Sequence, residues 1–195
     1  MEPLKLDWKA IPGVMTAPEE LEFLESVVEK QWRAFDRAGL LGIEIGSFHG
    51  QSTVMLAQYC QKLFVIDLWG SLADGINSYG DIGQKTFLPF IQNIVKYGLV
   101  DRVFPIVSTS NVLDGLPSFN FDFAFVDGDH TVQGCTQDLW AVEWHLHDEA
   151  KLIVHDYGGP CGKAHTVIEA VDAFIEATEW EVTQQFQAMA VLERK

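Results

Sequence analysis

Long apolar runs are missing from this chain. No stretch of about 18 or more apolar residues occurs, so the sequence offers no membrane-spanning helix. Basic residues are scarce: 13 Lys and Arg stand against 28 Asp and Glu, a net charge of −15. No basic stripe is visible, and such a surface repels phosphate backbones, which excludes nucleic acid as the expected partner. The three cysteines, Cys60, Cys135 and Cys161, are scattered, odd in number and without a CxxC pair. They read as reduced, buried thiols of a cytoplasmic protein rather than a disulfide frame. The opening residues MEPLKLDWKAIPG carry early acids and no apolar centre, so no secretory signal is expected there. Repeats, low-complexity tracts and linkers are also lacking. What remains is 195 residues, 48% hydrophobic, enough for one sizeable core. A single domain over 1–195 is expected, with 1–39 as an N-terminal helical extension and 40–195 as the core.

Along the chain, Thr16, Pro18 and Glu19 predict a capped helix start. Leu21, Leu24, Val28, Trp32 and Phe35 continue at helical spacing towards Gly39. "LLGIEIG" and "KLFVID" read as buried strands around a helix over 51–60. A less regular, Gly- and Ser-rich stretch follows Trp69, then a helix near 84–97. "RVFPIVSTS", "FDFAFVD" and "AKLIVHD" are further strands. Val132, Cys135, Leu139, Val142 and Leu146 mark an amphipathic helix, and 163–178 another. Two strand-like pieces flank Gln187. Alternating strands and helices with continuously apolar strands predict a single-domain α/β fold. Its doubly wound, Rossmann-like sheet is mostly parallel, with helices on both faces and an antiparallel C-terminal strand. Ligands bind such sheets at the carboxyl ends of the strands. Polar residues gather at those ends repeatedly: Glu44–Gly46, Asp67, Ser108–Ser110, Asp127–His130 and His155–Asp156.

"EIGSFHG" sets Glu44, Gly46 and Gly50 across a strand-to-helix turn, where glycines permit a tight bend and close approach of a ligand. The dinucleotide fingerprint GxGxxG is absent. An acid at this strand end disfavours a pyrophosphate and suits a cationic group such as an amine, while Asp67 is placed for ribose hydroxyls. "FVDGDH" and "VHDY" end two strands in Asp127 and Asp156, carboxylates that repel one another without a cation wherever the fold sets them side by side. The competing reading has Asp127 capping its turn and Asp156 paired with Lys163 or a backbone amide. Asp129 or His130 could take a proton from a substrate hydroxyl, the imidazole having a suitable pKa near neutrality; otherwise they cap the next helix. Trp69 is either a lid or cofactor contact or simply core. His145 and His147 read as a solvated helix end, Trp140 and Trp144 as packing, and Cys161 as an unsupported nucleophile.

In this order, "EIGSFHG", "VIDLWG", "FVDGDH" and "VHDY" resemble the class I S-adenosylmethionine-dependent methyltransferases over roughly residues 40–195. The last three motifs resemble the small-molecule O-methyltransferase branch: catechol-type, macrolide-sugar and cephalosporin-pathway enzymes, many of them magnesium-dependent. The resemblance implies that Glu44, Gly46, Ser47 and Gly50 line the methionine end of S-adenosylmethionine. By the same likeness Asp67 holds the ribose, Ser108 lies near the adenine, and Asp127 touches the cofactor too. It implies a divalent metal, magnesium or manganese, on Asp127 and Asp156, with His130 or Asp129 as base. His155 departs from the likeness, since that position is usually acidic in the metal-using relatives. Either it ligates a softer metal, or it is no ligand, or the site is empty. The expected enzyme is therefore a cytoplasmic methyltransferase acting on a small hydroxylated metabolite. Its N-terminal helix is a candidate homodimer face. A metal-independent methyltransferase using His130, and a non-catalytic cofactor-binding protein, are the alternatives.

Overall fold

The computed structural model describes residues 2–11, 16–35, 39–70, 86–158 and 164–195. Cys161, Lys163 and most of the stretch between Trp69 and the third helix lie outside the described residues. In chain order the elements are α1 (Pro18–Ala34), β1 (Leu40–Ile45), α2 (Gln51–Ala57), β2 (Cys60–Asp67), α3 (Phe87–Lys96), β3 (Val103–Val107), β4 (Phe121–Val126), α4 (Val132–Glu143), β5 (Leu146–Val154), α5 (Ala164–Ala177), β6 (Trp180–Phe186) and β7 (Met189–Arg194). Short 3-10 turns occupy Trp8–Ala10 and Ser110–Leu113. None of the described helices is long and apolar enough to cross a membrane.

The seven strands form one sheet in the order β3-β2-β1-β4-β5-β7-β6. The pairs from β3 to β5 are parallel, and β7 runs antiparallel to both β5 and β6. The chain winds outward from β1 in one direction and, from β4, in the other. The crevice between the carboxyl ends of β1 and β4 is therefore the switch point where this architecture opens a ligand site. Pro105 sits in β3, an edge strand, where its missing N–H leaves one less donor on the open side.

Period-2 alternation along each strand divides the core. Phe123 and Phe125 face a cluster with Leu24 and Val28 of α1, Val54 of α2 and Phe90 of α3. Ala124 and Val126 face another cluster with Leu139 of α4 and Phe174 of α5. With both faces covered, β4 is buried at all six positions, which explains why it is apolar except at Asp122, whose buried carboxylate accepts the Leu41 N–H at 2.7 Å and faces His147. α1 thus packs into the same core as the sheet, on the face it shares with α2 and α3.

Three boundaries differ from the sequence reading. α1 is capped at Ala17, where the Glu20 carboxylate accepts the Ala17 N–H at 3.3 Å. Proline at the first helical position fixes the start there, one residue inside Thr16. α2 stops at Ala57, because Cys60 already belongs to β2. β5 begins at Leu146, which the helical pattern had claimed for α4; a register shift near Phe121 lets the longer strand pair with β4.

Candidate active site

At the end of β1 the chain must turn under β4. Gly46 has φ +82°, and a Cβ there would lie 2.1 Å from the Asp127 carbonyl oxygen. No side chain fits. The Asp127 N–H donates to the Ile45 carbonyl at 2.8 Å, so the two strand ends are locked edge to edge. Gly50 opens α2 at φ +83°, and a Cβ there would meet the Phe90 ring at 2.8 Å. Asp67, at the end of β2, clasps this turn: it accepts the N–H groups of Ser47 (2.8 Å), Phe48 (3.0 Å) and Trp69 (2.7 Å). Among the described residues its Oδ1 accepts the Trp69 N–H, and a carboxylate oxygen has room for a further donor. Ser108 follows β3 and donates its N–H to the Asp67 carbonyl at 3.2 Å, so Ser47, Asp67 and Ser108 share one rim.

Glu44, expected to line the methionine end of the cofactor, is enclosed beneath the turn. Its side chain is fully buried and accepts the hydroxyls of Ser52 and Thr53, both at 2.5 Å. Burial pushes its carboxyl up to about 8, against the pull of those two hydroxyls. The rim carboxylate anticipated from "EIG" is thus a buried carboxyl tied to α2. A strand position facing a helix leaves no path to solvent.

At the ends of β4 and β5 the acids and imidazoles converge. One oxygen each of Asp127 and Asp156 and a ring nitrogen of His130 lie within 4.8 Å of one another. His130 Nε2 is 2.7 Å from Asp156 Oδ2 and 3.6 Å from Asp127 Oδ1. His155 stands behind them: Nδ1 is 3.2 Å from Asp127 Oδ1 and Nε2 is 3.2 Å from Glu20 Oε2. His155 Nδ1 is also 3.7 Å from Asp156 Oδ1, so both imidazoles stand against the two carboxylates; the sequence reading considered His155 as a ligand, and the group whose ligand atoms lie mutually within 4.8 Å contains His130.

The charges follow from these contacts. Contacts with Asp127 and Asp156 raise His130 to about 10, although burial opposes it. Burial also lowers His155, but Asp127 outweighs it and lifts the ring to about 10. Burial pushes Asp127 up, yet His155 and His130 together bring it down to about 2. Asp156 adopts φ +60°, a left-handed conformation rare outside glycine. Phe48 and Trp69, at φ +50° and +42°, share that strain along the same rim.

Of the two candidate bases, Asp129 is engaged by the backbone of the turn before α4. Its carboxylate accepts the Thr131 N–H at 2.8 Å and crowds Gly134, while Thr131 in turn caps α4 through the Gly134 N–H at 3.0 Å. Trp69 is core, 3% exposed against Phe87 and Phe90. His145 and His147 are not a solvated helix end: His145 is buried on the Leu113 carbonyl, and His147 pairs with buried Asp122 at 3.1 Å. Trp140 and Trp144 are both exposed at their edge of α4, although Trp140 does pack on Phe174.

Two residues escaped the sequence reading. Asp138 is buried in α4, close enough to Gly128 that a Cβ there would lie 2.7 Å from its Oδ2, and burial raises its carboxyl to about 6. An acid between Cys135 and Leu139 on the inward stripe was the available signal. Glu20 is 6% exposed; it accepts the Ala188 N–H at 2.9 Å as well as facing His155. Nothing in sequence links positions 135 apart.

A family model described as a methyltransferase domain matches residues 43–157. No curated protein matches the sequence. Among solved structures, an O-methyltransferase from Bacillus cereus in complex with SAH is similar at 16% identity and TM-score 0.67, covering 96% of this chain and 86% of its own. The SAH-bound methyltransferase PaMTH1 from Podospora anserina gives 16% and 0.67, with 93% and 80% covered. Precorrin 8W decarboxylase from Methanobacterium thermoautotrophicum gives 17% and 0.63, with 100% and 97% covered. A decarboxylase on the same frame means that structural likeness at this level carries the fold and not the reaction.

Proposed function

Because this chain belongs to the methyltransferase-domain family and is an S-adenosylmethionine-dependent methyltransferase, we propose that it methylates oxygen on a small hydroxylated acceptor, assisted by a divalent cation on Asp127, His130 and Asp156. The observation that carries this reading is the convergence of those three side chains at the ends of β4 and β5, beside the switch point. SAH is what S-adenosylmethionine becomes on losing its methyl group, and two similar folds hold it.

The donor set fits a cation. Two carboxylate oxygens and one imidazole nitrogen, mutually within 4.8 Å, suit manganese or zinc, and magnesium through the oxygens. A divalent ion there would supply Lewis acidity, lowering the pKa of an acceptor hydroxyl. Methyl transfer breaks an S–CH3 bond, forms an O–CH3 bond and releases the hydroxyl proton. His130, held at about 10 by its two carboxylates, already carries a proton near neutral pH and cannot take another. A cation held by Asp127 and Asp156 would draw those carboxylates off the ring and so let it act as a base or a ligand. Gly46 and the Asp67 clasp keep the opposite wall of the crevice rigid, as alignment for in-line transfer requires.

Titration calorimetry tests this. S-adenosylmethionine should bind in EDTA, and Mn²⁺ should give a separate heat that Asp156→Asn abolishes. Absence of any Mn²⁺ heat overturns the cation. A second reading rests on the 2.7 Å His130–Asp156 contact: a metal-free enzyme with His130 as base. Its rate in EDTA would climb with pH towards about 10, the pH at which that ring loses its proton.

A further inference from the structure

His155 makes the same kind of contact with both its ring nitrogens, and one of its partners comes from 135 positions away. Nδ1 meets Asp127 Oδ1 at 3.2 Å, and Nε2 meets Glu20 Oε2 at 3.2 Å. Glu20 is itself fixed twice more, by the N–H of Ala17 at the start of α1 (3.3 Å) and by the N–H of Ala188 between β6 and β7 (2.9 Å). A ring held at both nitrogens cannot rotate without leaving a buried polar group unpaired. Asp127 Oδ1 meets His155 Nδ1 at 3.2 Å and His130 Nε2 at 3.6 Å, so the ring that Glu20 holds bears on the same carboxylate oxygen that faces His130.

We propose that Glu20 is a positioning residue of the active site: through His155 it sets the orientation of the Asp127 carboxylate that faces the cation. The inference rests on the cation reading of the previous subsection. It assigns a role to α1 beyond packing, and it gives His155 the task of aiming a ligand rather than being one. Partners behind a metal ligand characteristically tune affinity in this way. Phe23 provides the contrast: one helical turn along α1 it stacks on Phe186 with ring centroids 5.3 Å apart, docking α1 on the same hairpin without touching His155.

The test is Mn²⁺ calorimetry on the purified full chain, with S-adenosylmethionine binding measured alongside in EDTA. Glu20→Ala should weaken Mn²⁺ by about ten- to a hundred-fold and leave S-adenosylmethionine affinity within two-fold or so of the unmutated protein. His155→Ala should lose the same factor, and the double variant no more than either single one, since they break one linkage. Phe23→Ala should keep Mn²⁺ affinity. Unchanged Mn²⁺ affinity in folded Glu20→Ala overturns the proposal, as does an equal loss in Phe23→Ala. If Glu20→Ala does not fold, unchanged affinity in His155→Ala overturns it alone. A wild-type protein that binds S-adenosylmethionine but no Mn²⁺ removes the cation reading first, and the role of Glu20 with it.

Discussion

Glu44 shows how one side chain couples burial to pH. Its carboxyl titrates near 8 in the folded protein against 4.5 when exposed, so between those values the folded state binds the extra proton. Stability from this group is complete below about 4.5 and is lost as pH rises through 8. Urea unfolding at pH 5, 6.5 and 8 should show a decline of at most roughly 1.4 kcal/mol per pH unit traceable to Glu44. Glu44→Gln, which keeps the shape and can still meet Ser52 and Thr53, should flatten that decline. Asp129 makes a different expectation at the same scale. As a cap for the Thr131 N–H, its replacement by alanine should cost about 1 kcal/mol in a thermal melt while leaving the rate of methyl transfer within a few-fold of wild type. A collapse of the rate would show that Asp129, and not His130, handles the proton.

Among the elements, the β1–α2 turn is the least tolerant. Gly46→Ala forces a Cβ to 2.1 Å from the Asp127 carbonyl at φ +82°, so the turn must open or β4 must move. Either outcome separates the Asp67 clasp from the Asp127 end; loss of S-adenosylmethionine binding by calorimetry is expected even where circular dichroism shows a folded protein. Phe90 supports the same turn from α3, packed under Gly50 and against Trp69. Phe90→Ala should destabilise by about 3–5 kcal/mol, read from the unfolding midpoint in urea, because a fully buried ring leaves a void that Gly50 cannot fill. α4 carries its own record of the site: Asp138, an acid on an inward stripe, requires the small residue at position 128 of the "DGDH" loop.

For the whole molecule, a net charge of −15 sets what the surface attracts. Filter binding to duplex DNA at physiological salt should give no retention, and retention there would contradict the exclusion drawn from charge. The architecture was legible because its cause is local. Strands covered on both faces must be apolar throughout, helices between them must show a 3.6-residue stripe, and glycine must stand where a strand turns into a helix against a neighbour. Rim positions followed from counting strand ends, which is why Asp67, Asp127, His130 and Asp156 could be grouped in advance. Side-chain direction was not legible. Glu44 stands next to the end of β1 and Asp127 just past the end of β4, yet one carboxyl is tied to α2 and the other faces His130 and His155. Likewise "VHDY" names two candidate ligands without saying which of them faces out. Only the packing of α1 and the β6–β7 hairpin against the sheet decided that, by bringing Glu20 across 135 positions to hold His155 and leaving His130 beside Asp127 and Asp156. Short-range physics fixes which residues reach the rim; where each side chain aims depends on partners that only the folded chain brings together.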